Sequence, residues 1–255
     1  MPMLQDKKAI VFGVANDHSI AWAIAQALQR EGADLAFTYV GEAIERRVRP
    51  LAASLGVDRV LPCDVNKDDE IAATFAALRE PWGRVDIIIH AVAFARRDEL
   101  KGRFLHTSRD GFQVALETSA YSLVAIARHA EPLMPAGASL LTLTYLGAER
   151  ALPNYNVMGI AKAALEACVR YLAYDLGPQG IRVNAISAGP LRTLSSAGIT
   201  GFKSMLHHHE ERAPLRRNIS PEEVANTALY LCSDLGSGVT GEVLHVDAGY
   251  NITGM

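Results

Sequence analysis

Strand-like and helix-like stretches alternate along the whole chain, and this alternation constrains the fold more than any other feature. Apolar, β-branched runs predict seven strands, at residues 8–13, 34–39, 59–63, 86–92, 139–145, 181–187 and 243–247. The segments between them place apolar residues at helical spacing, as at Ile20, Ala23, Ile24, Ala27 and Leu28. Near-continuous apolar strands are typical of a parallel sheet with helices on both faces. The pattern therefore predicts an α/β fold with a doubly wound, seven-stranded parallel sheet.

The sequence favours a single domain over residues 1–255, because no linker, internal repeat or low-complexity segment divides it. Length alone would fit one large domain or two small ones. Two long helices are predicted near residues 109–134 and 154–176, on either side of the fifth strand. Residues 193–215 break the alternation. A connection of this length is typical of a substrate-binding lid, with a plain surface loop as the alternative.

Charge and composition exclude several classes of function. The chain has 25 Lys and Arg against 28 Asp and Glu, and neither sign is concentrated, which gives no support to nucleic-acid or membrane-surface binding. No apolar run approaches the roughly 20 residues that span a bilayer, and no signal-like region precedes the first strand. We therefore expect a cytoplasmic protein. The three cysteines lack metal-ligand spacing and are expected to be buried free thiols.

Three consecutive histidines, His207, His208 and His209, fall within the predicted lid. Side chains at consecutive positions of a helix or strand point in different directions, so the three cannot all face one metal ion. We interpret them as part of the lid, and the sequence predicts no metal site.

The turn after the first strand is the first candidate for ligand binding. Gly13 ends that strand, and Ser19 is a natural N-cap for the helix that follows. In a Rossmann-like fold this turn binds a nucleotide pyrophosphate, because small residues let backbone N–H groups approach phosphate at a helix N-terminus. The full G-x-G-x-x-G pattern is absent, and only Ala15 and Ser19 accompany Gly13 as small residues. From this segment alone, nucleotide binding and an ordinary βα turn both stay open.

Two further strand ends carry polar side chains. Asp64 closes the third strand, where it could accept a hydrogen bond from an adenine amino group or act as an N-terminal acid of the next helix. His90 closes the fourth strand and is followed by three small residues, which would let a ribose pass close to the backbone. We assign His90 itself a structural role.

The most informative segment pairs Tyr145, at the end of the fifth strand, with Tyr155, Met158 and Lys162 on the next helix. Seven helical residues make nearly two turns, so Tyr155 and Lys162 share a face about 10.5 Å apart along the axis. We expect the two to converge on a bound group such as a ribose, and we expect the lysine charge to favour an ionisable or strongly donating phenol. The alternative is ordinary core and surface packing. The place of this helix beside the carboxyl edge of the sheet favours a site.

Together these segments resemble the bacterial enoyl-acyl carrier protein reductases, a divergent branch of the short-chain dehydrogenase/reductase superfamily. Ordinary members of the superfamily carry a Gly-rich turn, an Asn-Ala-Gly segment and Tyr-x3-Lys. Here the turn is Gly13-x5-Ser19-Ile20, the fourth strand ends in His90-Ala-Val-Ala93, and the pair is Tyr155-x6-Lys162. Further similar blocks extend to residues 241–243, so the resemblance covers nearly the whole chain.

The resemblance implies a nicotinamide cofactor, two active-site tyrosines (Tyr145 and Tyr155) and the active-site Lys162. Expected cofactor contacts are Gly13, Ser19, Ile20, Val40, Asp64, Val65, Val92, Lys162, Leu191, Arg192, Thr193, Leu194 and Ser195. Expected substrate contacts are Ala95, Tyr145, Tyr155, Met158, Phe202 and Met205, with the mobile substrate loop of the family starting at Thr193.

The implied reaction suits these side chains. Hydride added to the β-carbon of a trans-2-enoyl thioester moves negative charge to the thioester oxygen, and Tyr155 would donate a hydrogen bond to it. Lys162 would orient the nicotinamide ribose, while the cofactor carries the reducing chemistry and no metal is required. Tyr145 would either border the acyl chain or assist protonation at the α-carbon.

Two departures from the family pattern bear on cofactor and partner. Val40 and Gly41 stand where NADPH-using members often have basic residues, so we favour NADH over NADPH, although Arg46 and Arg47 could reach. Basic residues that are common on the substrate loop are reduced here to Lys203. Docking of the acidic acyl carrier protein would then need a basic rim from Arg96, Arg97 and Lys203, unless these are only solvated loop charges.

Two other functions remain as alternatives: a short-chain dehydrogenase acting on an alcohol or ketone, and a non-catalytic nicotinamide-binding sensor. The Tyr-x6-Lys spacing speaks against the first, and the presence of both tyrosines and the lysine speaks against the second. The resemblance also implies a homotetramer, for which the two long helices beside the fifth strand could supply an interface.

Overall fold

A computed structural model describes residues 2–193 and 201–254. Within these residues, seven parallel strands form one sheet: β1 (Lys8–Phe12), β2 (Asp34–Tyr39), β3 (Val60–Pro62), β4 (Ile87–His90), β5 (Ser139–Thr144), β6 (Arg182–Ala188) and β7 (Val243–Val246). Eight α-helices of the same residues are α1 (Ile20–Arg30), α2 (Gly41–Ser54), α3 (Asp68–Trp82), α4 (Arg109–Leu116), α5 (Ser122–Ala130), α6 (Asn156–Leu176), α7 (Phe202–Arg212) and α8 (Pro221–Cys232). The predicted seven-stranded α/β architecture is confirmed.

The strand order is β3-β2-β1-β4-β5-β6-β7. The chain runs outward from β1 to β3 on one side and then returns to β4 and runs outward to β7 on the other. Because β1 pairs with β2 and with β4, the reversal of direction falls between β1 and β4. In doubly wound folds, ligands bind at this switch point, outside the carboxyl ends of the strands.

Apolar side chains from both faces of the sheet form two large buried clusters, and the layers of helices cover them. One cluster packs α1, α2 and α8 against β1, β2 and β6, as at Val11, Leu28 and Val224. The other packs α3, α5 and α6 on the opposite face, as at Ile88, Leu123 and Leu165. The sheet is therefore buried on both faces, as its near-continuous apolar strands predict.

Six of the seven strands differ from the predicted bounds by one or two residues at an end, and two helical regions differ more strongly from the sequence-based prediction. The helix predicted over residues 109–134 is interrupted: a π turn at Glu117–Tyr121 joins α4 to α5, and a short 3₁₀ turn, Glu131–Leu133, follows. The predicted lid contains a regular helix, α7, although its helical pattern is weak. In both places, tertiary contacts outweigh the local sequence pattern.

The cysteines and the membrane prediction can be compared directly with the structure. Cys63 and Cys232 are buried free thiols as predicted, whereas Cys168 is free but only half-buried. Among the described residues, no helix is both long and apolar enough to cross a membrane.

Candidate active site

A cavity of about 520 Å³ opens at the switch point, beside the carboxyl ends of β1 and β4. Its walls come from the segments that follow β1, β4, β5 and β6, from the first turns of α6, and from α7. Small and apolar side chains dominate the lining, with a few polar groups among them. This composition is typical of a pocket for a small molecule or cofactor.

The turn after β1 requires glycine. Gly13 has a φ of 97°, and a Cβ at this position would lie 2.1 Å from the carbonyl oxygen of Ala91, which follows β4. Ser19 is the N-cap of α1, and its hydroxyl donates to the Asn16 carbonyl (2.5 Å) while accepting from the Ala15 N–H (3.4 Å). The turn thus brings backbone and the N-terminus of α1 to the cavity wall, the arrangement that binds phosphate in folds of this kind.

Tyr145 and Tyr155 meet in the cavity with ring centroids 5.1 Å apart and planes inclined at 69°. Their contact depends on close packing of the chain after β5 against α6. A Cβ at Gly147 would lie 2.3 Å from the Tyr155 ring, and a Cβ at Gly159 would lie 2.7 Å from the Gly147 carbonyl oxygen. Both glycines are therefore needed to seat Tyr155, and their role follows only from the three-dimensional structure.

Lys162 lies on the cavity face of α6, and its ammonium donates to the Leu143 carbonyl at 2.7 Å. Within the described residues, no hydrogen bond joins it to Tyr155. One turn further along α6, Glu166 is also buried and accepts a hydrogen bond from Thr144 at 2.6 Å. The lysine is therefore held beside the end of β5, in the same cavity as Tyr155.

Burial dominates the protonation of these side chains. Burial, with smaller effects of Tyr145 and Glu166, raises the pKa of Tyr155 above its ordinary value. Burial and then Tyr250 raise the pKa of Tyr145 to about 12. The pKa of Lys162 falls to about 8, because its desolvation outweighs the opposing effect of Glu166. Of the two forms expected for the phenol, an ionisable group or a strong donor, these shifts favour the donor, because both tyrosines keep their protons at neutral pH.

Most of the predicted site residues come together around this cavity. Those that line it are Gly13, Ser19, Ile20, Val92, Ala95, Tyr145, Tyr155, Met158, Lys162, Leu191, Thr193, Phe202 and Met205. Val40 follows β2 as the N-cap of α2, and Asp64 and Val65 follow β3, so these three lie farther along the same edge of the sheet. Arg192 is exposed, and Leu194 and Ser195 lie outside the described residues.

Asp64 has a local structural partner. Its Oδ1 accepts hydrogen bonds from the backbone N–H and the side-chain amide of Asn66, both at 3.0 Å. This carboxylate oxygen therefore stabilises the turn before α3, as one of the two sequence interpretations expects.

Several lining residues were not singled out from the sequence. They are Ala21, Phe94, Leu100, Leu143, Thr144, Ala188 and Gly189. Most lie at or after the carboxyl ends of β4, β5 or β6, and that position was the signal that could have found them. Arg97, one of the predicted rim residues, also lines the cavity and adds a positive charge to that of Lys162.

Helix α7 covers part of the cavity. Phe202 and Met205 line it, and the Tyr145 hydroxyl donates to the Met205 sulfur at 3.2 Å. Near the other end of α7, the buried His209 ring stacks on Tyr250 with a centroid distance of 4.7 Å. These contacts hold both ends of the helix, which explains why α7 forms despite its weak sequence pattern.

The consecutive histidines of α7 separate as the sequence argument requires. His207 lies 3.2 Å from Glu211 on the surface, whereas His209 is buried. In the part of the chain that the structure describes, no group of three or more His, Cys, Asp or Glu side chains could hold a metal ion.

Comparisons with known proteins identify the family. A family model described as enoyl-(acyl carrier protein) reductase matches residues 13–251. The chain is 57% identical to the NADH enoyl-acyl carrier protein reductase of Bacillus cereus, with 100% of each chain covered. A crystal structure of the Bacillus cereus reductase with NADP+ and indole naphthyridinone superposes with a TM-score of 0.98 at 56% identity and full coverage of both chains.

A second crystal structure supports the same assignment. The enoyl-acyl carrier protein reductase of Anaplasma phagocytophilum, in complex with NAD, has a TM-score of 0.96 and 52% identity, and the match covers 99% of this chain and 97% of that one. Sequence identity above 50% over the whole length, together with the shared fold, leaves one family assignment. This chain belongs to the enoyl-acyl carrier protein reductase family.

Proposed function

We propose that this chain reduces trans-2-enoyl thioesters on acyl carrier protein with hydride from NADH, in the last step of fatty acid chain elongation. The observation that carries the proposal is the meeting of two protonated phenols, Tyr145 and Tyr155, with the buried Lys162 in one cavity at the switch point of the sheet. Two donors and a cation in an apolar-walled cavity suit a reaction that develops negative charge on a carbonyl oxygen. Membership of the family supports the same reaction.

The residues present fit a dinucleotide. Gly13 leaves space that a Cβ would fill, and the N-terminus of α1 faces the cavity with Ser19 and Ile20. We assign binding of the nicotinamide ribose to Lys162 and binding of the adenine to Asp64, with the remaining contacts from Gly13, Ser19, Ile20, Val40, Val65, Val92 and residues 191–193. When bound, the nicotinamide supplies the hydride.

The start of α2 favours NADH over NADPH. Val40 and Gly41 supply no cation for a 2′-phosphate, and Glu42 engages the nearby Arg46 at 3.0 Å. A carboxylate in the first turn of α2 would also repel a phosphate. Titration with each dinucleotide at matched concentrations tests this preference, and tighter binding of NADPH would contradict it.

In the reaction, Tyr155 donates a hydrogen bond to the thioester oxygen as negative charge develops there. Its raised pKa keeps the proton on the phenol, so the side chain acts as a donor over the whole physiological range. Tyr145 donates to Met205 and packs edge-on against Tyr155, so we assign it to the wall of the acyl site and to contact with the lid. Lys162 contributes positive potential and orients the bound ribose.

The acyl chain would lie against Ala95, Met158, Phe202 and Met205, under the predicted lid, of which the structure describes Thr193 and residues 201–215. Acyl carrier protein is acidic, so it would dock on cations at the cavity mouth. Of the three candidate cations, Arg96 is paired with Asp110, whereas Arg97 lines the cavity and Lys203 is exposed on α7. The structure of the rim therefore favours Arg97 and Lys203.

We also propose that the chain functions as a homotetramer in the cytoplasm. Helices α4 and α6, which flank β5, leave the apolar side chains Phe112 and Ile160 exposed, and Tyr121 in the π turn beside them is exposed as well. Exposed apolar side chains on adjacent helices are typical of subunit interfaces. Light scattering measures the subunit number, and a monomer would contradict the proposal.

The decisive experiment follows the absorbance of NADH during incubation with crotonyl or dodecenoyl thioesters. Oxidation of NADH with these substrates, but not with a ketone of similar size, supports enoyl reduction. Turnover of ketones alone would indicate the alternative dehydrogenase. A folded protein that binds NADH without turning over any enoyl thioester would refute the proposal and favour a nicotinamide-binding sensor.

A further inference from the structure

The π turn between α4 and α5 is the least regular part of the helical layers, and the proposed mechanism gives it no role. It spans Glu117–Tyr121, and its Thr118 and Ser119 are buried, as is Ser122 directly after it. π turns are rare, cost regular helical hydrogen bonds and occur frequently at functional sites. The three buried hydroxyls in and beside this turn need hydrogen-bond partners. Those partners show which neighbouring segments the turn is attached to.

Ser119 binds the backbone of Phe94 twice. Its hydroxyl accepts a hydrogen bond from the Phe94 N–H at 2.9 Å and donates one to the Phe94 carbonyl at 3.1 Å. Phe94 belongs to the loop after β4, and residues 91–95 of that loop line the cavity. The Ser119 side chain thus satisfies both the N–H and the carbonyl of Phe94, as a neighbouring strand would do inside a sheet.

Thr118 acts on a second loop. Its hydroxyl donates to Oδ1 of Asn66 at 2.8 Å, which leaves the Asn66 amide to donate to Asp64 at 3.0 Å. The chain of hydrogen bonds therefore runs from the π turn to the carboxylate of Asp64, which follows β3. Loss of the Thr118 hydroxyl would leave Oδ1 of Asn66 without this partner and would loosen the Asn66 side chain, while the hydrogen bond from the Asn66 N–H to Asp64 would remain.

Ser122 ties the same region to the sheet through His90. The Ser122 hydroxyl donates to the Thr118 carbonyl at 2.7 Å and forms a hydrogen bond with Nε2 of His90 at 2.8 Å. The Thr142 hydroxyl on β5 donates to the His90 carbonyl at 3.1 Å and lies 2.8 Å from Nδ1 of the same residue. Burial lowers the pKa of His90 to about 3, which keeps the ring neutral. The π turn is thus fastened to β4 and β5 at the edge that carries the site.

We propose that the π turn positions two cofactor-binding loops at once: Ser119 holds the loop after β4 through the Phe94 backbone, and Thr118 holds the loop after β3 through Asn66. Both are positioning residues, and neither needs to touch the ligand. The inference rests on the proposed binding of NADH at this edge. It gives the interruption of the long helix a physical reason, because the wider turn carries the hydroxyls that hold the two loops.

Substitution of Ser119 tests the first part of the proposal, that Ser119 holds the loop after β4. Ser119→Ala removes both hydrogen bonds to Phe94 with little change in volume, and we expect the Kd for NADH to rise about 5- to 20-fold, as for the loss of one or two net hydrogen bonds. The matched control is Ser139→Ala, because Ser139 is equally buried and donates to the Leu231 carbonyl at the opposite end of β5. The control should lower the unfolding midpoint similarly while its Kd for NADH stays within twofold of wild type.

The second part, that Thr118 holds the loop after β3, is tested with Thr118→Val and with ADP-ribose, which lacks the nicotinamide ring. Because Thr118 acts on the proposed adenine end, Thr118→Val should weaken binding of ADP-ribose and of NADH by the same factor. Ser119→Ala should weaken NADH binding more than ADP-ribose binding. Fluorescence titration of NADH, and its competition by ADP-ribose, measure both affinities.

The outcomes separate this inference from the proposed function. If wild type binds and oxidises NADH but both variants keep its affinities within twofold, the positioning role is wrong and the hydroxyls only stabilise the fold. If wild type binds no NADH, the proposed function fails and the inference fails with it. Should Ser119→Ala not fold, Ser119→Cys decides in its place, because a thiol of similar size is a poor hydrogen-bond partner.

Discussion

Replacing Lys162 by methionine should stabilise the cofactor-free protein at neutral pH while it weakens NADH binding. Burial holds the pKa of Lys162 at about 8 against an ordinary value of 10.5, a difference that corresponds to roughly 3 kcal/mol of cost for the charged form. Methionine has a similar length and no charge. The variant also loses the hydrogen bond to the Leu143 carbonyl, which destabilises it by about 1 kcal/mol. The free energy of unfolding at pH 7 should therefore rise by about 2 kcal/mol net.

The pH dependence gives this prediction its sign. Between pH 8 and 10.5 the unfolded chain keeps a proton on Lys162 that the folded chain has released, so the stability of wild type rises with pH in this window. The methionine variant lacks this contribution. The stability of the variant relative to wild type should therefore be highest below pH 8, and the two proteins should be equally stable by about pH 10.

Urea unfolding of both proteins at pH 7 and pH 10, followed by circular dichroism at equal protein concentration, measures the difference. Lys101→Met is the matched control, because Lys101 is exposed and its replacement relieves no burial. Other titrating groups are common to the compared proteins and cancel. An advantage of the Lys162→Met variant that is equally large at both pH values, or a loss of stability at pH 7, would refute the reasoning.

Two further predictions concern the site itself. Tyr155→Phe should lower kcat for an enoyl thioester by about 10²- to 10³-fold, the usual effect of removing an oxyanion donor, while the Kd for NADH stays within twofold; unchanged turnover in steady-state kinetics would contradict its role. Gly13→Ala places a Cβ 2.1 Å from the Ala91 carbonyl at a φ of 97°, so it should destabilise the protein by more than about 1 kcal/mol and weaken NADH binding, as unfolding and titration would show.

The arrangement of strands could be predicted from the sequence because each strand is an apolar run between clear turn signals. The second strand was predicted residue for residue at 34–39. The first strand was predicted one residue too long, because Gly13 already turns away from the sheet with its positive φ. Such differences at the ends of elements follow from local backbone geometry, which an apolar pattern does not encode.

The helices at residues 109–134 and 202–212 show why the rest could not be predicted. Helical periodicity continues through the π turn, and only the hydrogen bonds of its hydroxyls with Phe94 and Asn66 explain the interruption. Helix α7 is stabilised by the stacking of His209 on Tyr250, a contact between residues distant in the sequence. In both cases the deciding interaction is tertiary, so no local pattern reports it.

Many residues that line the candidate site could be predicted from the sequence, but the direction of their pKa shifts could not. Spacing along α6 places Tyr155 and Lys162 on one face, and the structure brings both to the cavity. The direction of their pKa shifts depends on how completely the surrounding segments exclude water. Desolvation favours the neutral form of each group and outweighs the attraction between the lysine charge and an ionised phenol.

This balance predicts that Lys162 sets the alkaline limit of cofactor binding. Because its pKa is raised, the Tyr155 phenol does not lose its proton below pH 10. Lys162, with a pKa of about 8, loses its charge in the mildly alkaline range. As pH rises through 8, the neutral amine gives up its positive potential and its charge-assisted hydrogen bond, so affinity for NADH should fall. In Lys162→Arg the guanidinium stays charged, and the fall should move to higher pH. NADH titrations from pH 6.5 to 9.5 compare the two, and a fall near pH 8 that persists in the arginine variant would assign it to another group.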